Sequence, residues 1–130
     1  MRLLGIDFGE KKIGLAMSEG PLAEPAGIVK NLEEVVRFCQ EQEIDKIAIG
    51  LSEGKSAKKQ KKFGQSLAKL TGLPVEFQDE TLTTKEAIRK MKESGKKVKG
   101  RKEDAFAASL ILQEYLDRLD TGTQKRRTPM

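Results

Sequence analysis

Histidine and tryptophan are absent from this chain, and cysteine and tyrosine occur once each. Without an imidazole, no Ser-His triad, Cys-His dyad or histidine-containing zinc site can form, and one thiol cannot build a thiolate cage. The lone Cys39 cannot close an internal disulfide. Within Val35-Val36-Arg37-Phe38-Cys39 it falls on the apolar face of a helix and reads as core packing. Aromatic residues make up only 5% of the chain, so platforms for stacking single-stranded bases are scarce. Apolar runs are short: none approaches the ~18 residues of a membrane span, and the start MRLLGIDFG meets Asp7 too early for a signal peptide. A soluble, cytoplasmic protein with no membrane partner is expected. If it is a hydrolase, carboxylates working with a hard metal ion are the main chemistry left.

Charge is what the chain has in abundance. Charged residues are 35% of the total, the net charge is +5 and the sequence pI is about 9.3. Such a surface favours polyanions, nucleic acid first among them. With 130 residues there is room for one domain with helices packed on a sheet, and none for a second full domain.

The spacing predicts three short strands, Leu3 to Phe8, Ile13 to Met17 and Ala26 to Val29, separated by the turn-forming GEKK and by SEGPLAEP. Their short connections favour an antiparallel meander. Asn31 offers an N-cap with Glu34 three residues on, opening a helix that runs to about Gln42. Lys46 to Leu51 then reads as a buried strand, Ala57 to Leu70 as a helix ending near Gly72, and Pro74 to Gln78 as a strand. Thr83 with Glu86 reads as the cap of the next helix, stopped by Gly95. A lysine-rich loop leads to a last helix from Glu103 to about Leu119 that buries Ala108, Ile111, Leu112, Tyr115 and Leu116. Residues 1–119 form the domain on this reading, and 120–130 a disordered basic tail. The expected fold is α/β and ribonuclease H-like: a five-stranded mixed sheet, three antiparallel strands and then parallel ones, with helices on both faces.

Acidic residues stand at strand or helix ends in three places: Asp7, Asp79-Glu80 and Glu103-Asp104. Ends of neighbouring strands in an open sheet form a crevice where ligands bind. Clustered carboxylates repel one another unless a cation lies between them, and Mg²⁺ suits an all-oxygen cluster. Taken singly, Asp104 reads equally well as a first-turn residue favoured by the helix dipole, and Asp79 as an Asx cap. Asp7 has no such role, since an aspartate ending an apolar run before Gly9 is neither a cap nor part of a solvated face. Cations gather nearby. The hairpin GEKK carries Lys11 and Lys12; GKSAKKQKK carries Lys55, Lys58, Lys59, Lys61 and Lys62; KKVKGRK carries Lys96, Lys97, Lys99, Arg101 and Lys102. Such runs are often only solvated surface. Beside a carboxylate cluster they also supply what phosphodiester cleavage needs, a grip on the anion.

Four ordered segments carry a resemblance: DFGEKKIGLAMS, IAIGL, DETLTT and KEDAFAASLILQEYLD. Together, over about residues 2–117, the chain resembles the YqgF family, also called RuvX, of pre-16S rRNA nucleases once described as Holliday junction resolvase-like. The resemblance implies a ribonuclease H-like fold and divalent-metal-dependent hydrolysis of nucleic acid, with Mg²⁺ or Mn²⁺ as cofactor. It puts the catalytic acids on Asp7, Asp79, Glu80 and Asp104, with Asp7, Glu80 and Asp104 as metal ligands. Lys11, Lys12, Lys55, Lys58, Lys59, Lys99, Arg101 and Lys102 are then the expected substrate contacts. Asp7 would be tolerated in the sheet because it binds metal. The chain also departs from the family. Gly50-Leu51-Ser52-Glu53-Gly54-Lys55 replaces a longer Gly-Leu-Pro and Met-Asp-Gly loop, and Thr81 stands where the family has arginine.

The implied substrate is ribosomal RNA precursor. A Holliday junction-type DNA nuclease, acting on branched DNA, is an alternative; it is weakened because RuvC-type resolvases carry a glutamate on the central strand where this chain has Ile47, Ala48 and Ile49. A non-catalytic RNA-binding ribosome-assembly factor is another, using the basic loops alone. The D-x-G-x(4)-G hairpin also resembles the first phosphate loop of actin-like ATPases. Those enzymes need two lobes, and there is no second Asp-Gly hairpin here.

Overall fold

The computed structural model describes residues 1–52, 54–93 and 100–127 and, within them, all side chains but those of 82–83, 91–93, 100–104 and 120–127. Its elements are β1 (Leu3–Phe8), β2 (Ile13–Ser18), β3 (Glu24–Val29), α1 (Leu32–Glu41), β4 (Lys46–Leu51), α2 (Lys55–Thr71), β5 (Val75–Asp79), α3 (Leu82–Glu93) and α4 (Gly100–Arg127). The five strands form one sheet in the order β3-β2-β1-β4-β5. The first three pair antiparallel, whereas β1 with β4 and β4 with β5 are parallel. The mixed sheet expected from the order of elements is therefore the one observed.

Side-chain alternation along the strands divides the core in two. Leu4, Ile6, Ile13, Leu15, Ile47 and Ile49 face α1 and α2, where Val35, Cys39, Phe63 and Leu67 meet them. Leu3, Ala16 and Ala48 face α4, under Ala108, Leu112 and Tyr115. The second layer uses small residues on the sheet because α4 lies close: a β-carbon on Gly5 would stand 2.5 Å from Leu112 Cβ. Each fully buried Leu or Ile contributes about 1.5–3 kcal/mol, and β4, covered on both faces, reads as an unbroken apolar run for that reason.

Local chemistry accounts for most boundaries. Asn31 caps α1, its side chain accepting from the Glu34 N–H at 2.9 Å. The Glu34 carboxylate reaches back to the Lys30 N–H, one residue beyond the reciprocal capping position at Asn31. Gly72, left-handed at φ 73°, ends α2 by donating to the Ala68 carbonyl. Pro25 sits in β3, an edge strand, where its missing N–H costs least. At α3 the cap is Thr81 and not Thr83: Thr81 Oγ1 accepts from the Thr84 N–H at 3.2 Å, and its carbonyl from Lys85. Helix α4 extends past both ends of the apolar stripe that marks it in the sequence: it begins at Gly100, before Glu103, and continues through residues 120–127, which the sequence reads as a disordered tail. Among the described residues no helix is long and apolar enough to cross a membrane.

Candidate active site

Asp7 is the fifth residue of β1 and half-buried. Alternation puts it on the α4 face with Leu3 and Gly5. Its neighbour on β2 is Gly14. On β4 the pairing runs through Ile6 and Ile49, so the next residue in register is Gly50. The carboxylate thus stands between two glycines, on strands ~4.8 Å to either side.

Glu80 follows directly on β5 and is also half-buried. Its Oε2 would lie 3.2 Å from a β-carbon on Gly50, and Ile111 Cδ1 would lie 2.6 Å from the same point. The place a Gly50 side chain would take is therefore filled by Ile111 of α4, with the Glu80 carboxylate beside it. The turn after β5 is held by α4, since the Thr81 N–H donates to the Glu114 carboxylate at 3.2 Å. Thr81 is thus occupied as cap and tether. Asp79 is exposed at the end of β5, one residue out of phase with Glu80, and Glu80 is the member of the pair at Gly50.

Asp104 lies in the first turns of α4, and its side chain is outside the described set. The course of the helix still brings its backbone to the Asp7 end of the sheet. Tyr115 packs with Leu3 at the start of β1, and Ala108 and Leu112 lie over Gly5, so α4 runs antiparallel to β1. One turn back from Ala108 is about 6 Å; two residues on from Gly5, to Asp7, is about 7 Å. Among the described residues no group of three or more His, Cys, Asp or Glu stands together as a metal cage.

The basic residues gather at the same end of the strands. Lys11, Lys55 and Lys59 line a cleft of about 370 Å³ between the β1–β2 hairpin, at Phe8, Gly9 and Glu10, and the first turns of α2. The hairpin is closed by Gly9 N–H donating to the Lys12 carbonyl at 3.0 Å, and a β-carbon on Gly9 would meet that oxygen at 2.8 Å. The beginning of α2 is tied to the end of β4 by a double contact: Gln60 Oε1 accepts from the Ser52 N–H at 2.8 Å and Nε2 donates to Ser52 Oγ at 3.1 Å. Lys59 pairs with Glu10 across the cleft. That contact holds the Glu10 carboxyl below the usual range, first through the hydrogen bond and then through charge. Lys12 and Lys58 are exposed on the hairpin and on α2. Lys99 lies outside the described residues, and Arg101 and Lys102, in the first turn of α4, have side chains outside them. Cys39 has no part in the site; it is buried under α1, and burial pushes its thiol up to about 11.

Four residues of this end, Gly50, Ser52, Gln60 and Gln78, were not singled out from the sequence as site residues. Gly50 ends an apolar run and looks like a packing glycine until Glu80 is seen beside it. Gln78, directly before Asp79-Glu80, is 1% exposed and lies opposite Gly50 in the β4–β5 register.

The family model described as RuvX, Holliday junction resolvase, matches residues 1–118. A protein of Agathobacter rectalis named "Putative pre-16S rRNA nuclease" is 38% identical over 141 residues, covering 94% of this chain and 99% of that one. A protein of Anaeromyxobacter sp. with the same name is 38% identical, covering 90% and 97%. Among solved structures, T. thermophilus RuvC in complex with a Holliday junction substrate superposes with a TM-score of 0.57 at 16% identity, over 89% of this chain and 93% of that one. The fowlpox virus Holliday junction resolvase gives 0.58 at 15% identity, over 92% and 99%. The fold is thus the ribonuclease H-like fold of the RuvC-type resolvases.

Proposed function

The chain belongs to the RuvX family, and from that premise we propose that it is a divalent-metal-dependent nuclease hydrolysing phosphodiester bonds in the precursor of 16S rRNA. The relatives' names support the substrate. The observation that carries the chemistry is the approach of the Glu80 carboxylate to Gly50, whose neighbour in register is Asp7. Two carboxylates on one face of a sheet repel each other unless a cation offsets them. The half-buried Glu80 carboxylate, held against β4 beside the strand that carries Asp7, offers the charged oxygen donors that a hard ion prefers.

Asp7 and Glu80, joined by Asp104 from α4, would hold Mg²⁺ or Mn²⁺; the cation supplies charge neutralisation at the scissile phosphate and a water made acidic enough to attack it. Glu80 takes this role in preference to Asp79, which is out of phase and exposed. Lys11, Lys55 and Lys59 in the cleft, with Lys12 and Lys58 beside them, Arg101 and Lys102 in the first turn of α4, and Lys99 outside the described residues, bind the flanking phosphates as point charges that read no base. Residues 1–119 are read as the catalytic domain, and the basic residues of 120–127 are carried by the end of α4. The place of work is the cytoplasm, where the precursor is.

Branched DNA is the second reading, favoured by the resolvase fold. Against it, the residues that β4 presents to the α4 face are Lys46, Ala48 and Gly50, so the central strand brings no carboxylate. The test is cleavage of a 16S precursor fragment and of a four-way DNA junction in Mg²⁺, Mn²⁺ and chelator. Metal-dependent cleavage of the RNA is expected. Cleavage of the junction alone would assign the second reading, and cleavage that persists in chelator would contradict metal dependence.

A further inference from the structure

Asp7 and Phe8 are the last two residues of β1 and point to opposite faces of the sheet. Asp7 is on the α4 face. Phe8 is on the face of α1 and α2, where its ring centroid lies 4.5 Å from that of Phe63 and the two rings are tilted by 32°. Phe8 is only half-buried. It lines the basic cleft described above and also a second hollow, of about 390 Å³, between the end of β1, the start of α1 and α2. Phe8, Leu32 and Phe63 give this hollow its apolar lining, and Lys59, Lys62 and Glu10 its charge. Phe8, Glu10 and Lys59 line both hollows, so the two adjoin along these residues.

An apolar protein side chain would fit such a lining as well as a base does; the cations decide between them. Lys55, Lys58, Lys59, Lys61 and Lys62 crowd the first half of α2, and its first turn holds no acidic residue. That is the wrong sign for the positive end of a helix, and an anion offsets it. A nucleotide is flat, aromatic and anionic at once. Its base stacks on an aromatic ring whichever base it is, and its phosphate needs only a nearby positive charge.

We propose that the second hollow takes one unpaired nucleotide of the RNA, its base against the Phe8 ring and its phosphate at Lys59 and Lys62. This rests on the nuclease reading above and deepens it, adding a requirement for a single-stranded residue near the point of cleavage. A strand laid over the end of β1 meets Asp7 on one face of the sheet and Phe8 on the other. A base inside a duplex is held by its own neighbours and cannot enter the hollow. Glu10, the partner of Lys59 in the free protein, gives way to the phosphate.

The test uses the full chain, a short single-stranded RNA, and the same strand paired with its complement, with affinities measured in chelator so that nothing is cut. Phe8→Leu keeps an apolar side chain and removes the ring; Phe8→Tyr keeps the ring. Phe8→Leu should bind the single strand roughly five- to tenfold more weakly, the lower end of the range for one stacked base. Its salt slope should not change, because no phosphate contact is lost. Its affinity for the duplex should equal that of wild type, and Phe8→Tyr should match wild type on both. The chain has no tryptophan, so Phe8→Trp carries a lone indole whose fluorescence the single strand should quench and the duplex should not. Equal loss on single strand and duplex would make Phe8 a packing residue. No loss on either, with no quenching, would leave the hollow to a protein side chain; each result overturns the proposal. Should Phe8→Leu not fold, wild type is titrated with a strand of abasic residues, and affinity equal to that for the intact strand overturns it too. Wild type that binds and cleaves RNA while Phe8→Leu matches it on the single strand defeats this proposal alone; wild type that binds neither RNA defeats the nuclease reading with it.

Discussion

The Glu80 carboxylate would lie 3.2 Å from a β-carbon on Gly50, although the two residues belong to different strand ends. Glycine at position 50 is thus required by the space around it. In Gly50→Ala the methyl would meet Ile111 Cδ1 at 2.6 Å and Glu80 Oε2 at 3.2 Å, so Ile111 must change rotamer and Glu80 must withdraw. Overpacking of this kind costs about 1–3 kcal/mol. Gly64→Ala, on the opposite face of the sheet, is the control, since its methyl would meet Phe77 Cζ at 2.6 Å and Ile49 Cδ1 at 3.1 Å. Both should lower the melting temperature; only Gly50→Ala should also lose cation binding and cleavage. Equal effects on cleavage at matched stability would show that the space at Gly50 is only packing.

The basic cleft should bind phosphate without reading sequence. Replacing Lys11, Lys55 and Lys59 by Ala is expected to weaken RNA binding and to flatten its salt dependence, each lost contact reducing the log–log slope by roughly 0.7–0.9. An unchanged slope would mean that these lysines are solvated surface.

Because Glu10 pairs with Lys59 in the cleft, Glu10→Gln should raise RNA affinity at low salt and lose that advantage as salt rises. Weaker binding by Glu10→Gln would show instead that Glu10 holds Lys59 in its binding position.

At the opposite end of α4, Tyr115 donates to Glu76 at 2.6 Å, Lys46 lies 3.2 Å from the same carboxylate, and the ammonium stands 5.5 Å over the phenol ring. Tyr115→Phe should cost about 1 kcal/mol, less than a fully buried charged hydrogen bond because Glu76 is half exposed. The Tyr115 hydroxyl, then Lys46, lowers the Glu76 carboxyl; that stabilisation is full above the ordinary glutamate value and is lost as pH falls through the lowered one. Burial, then Glu76, raises the Tyr115 phenol; its share is full below the ordinary tyrosine value and is lost as pH rises through the raised one. The gap between wild type and Tyr115→Phe should therefore be flat from roughly pH 5 to 9 and narrow outside it. Thermal melts across pH check this, and cleavage near neutrality should be unaffected.

The fold was legible because β1, β2 and β4 are apolar runs, because α1 and the buried half of α4 repeat at helical spacing, and because loop lengths separate antiparallel from parallel pairing. The α3 cap was misplaced from Thr81 to Thr83, since both are threonines before the helix and only the contact to Glu114 distinguishes them. Of the site, Asp7 announced itself as a carboxylate with no structural reason to be in a strand. The resemblance implies Glu80 as a ligand, but that Glu80 and not Asp79 stands at Gly50 comes from the phase of β5, and the place of Gln78 opposite Gly50 from the register of β4 with β5. Neither is a property of one segment. The lysines of the cleft come from two segments, and charge runs alone do not say which side chains converge.

The most direct test of a metal-dependent nuclease built on Asp7 is Asp7→Asn, which keeps shape and removes one negative charge, with three quantities measured on it: cleavage of the 16S precursor fragment in Mg²⁺, RNA affinity in chelator, and melting temperature in chelator. Cleavage should fall beyond the roughly 10–100-fold that loss of an outer partner costs. RNA affinity should hold or rise, because a carboxylate that repels phosphate has gone, and melting should hold or rise as the repulsion with Glu80 is relieved. Cleavage equal to wild type with a lowered melting temperature would contradict the account, making Asp7 a structural residue of the sheet.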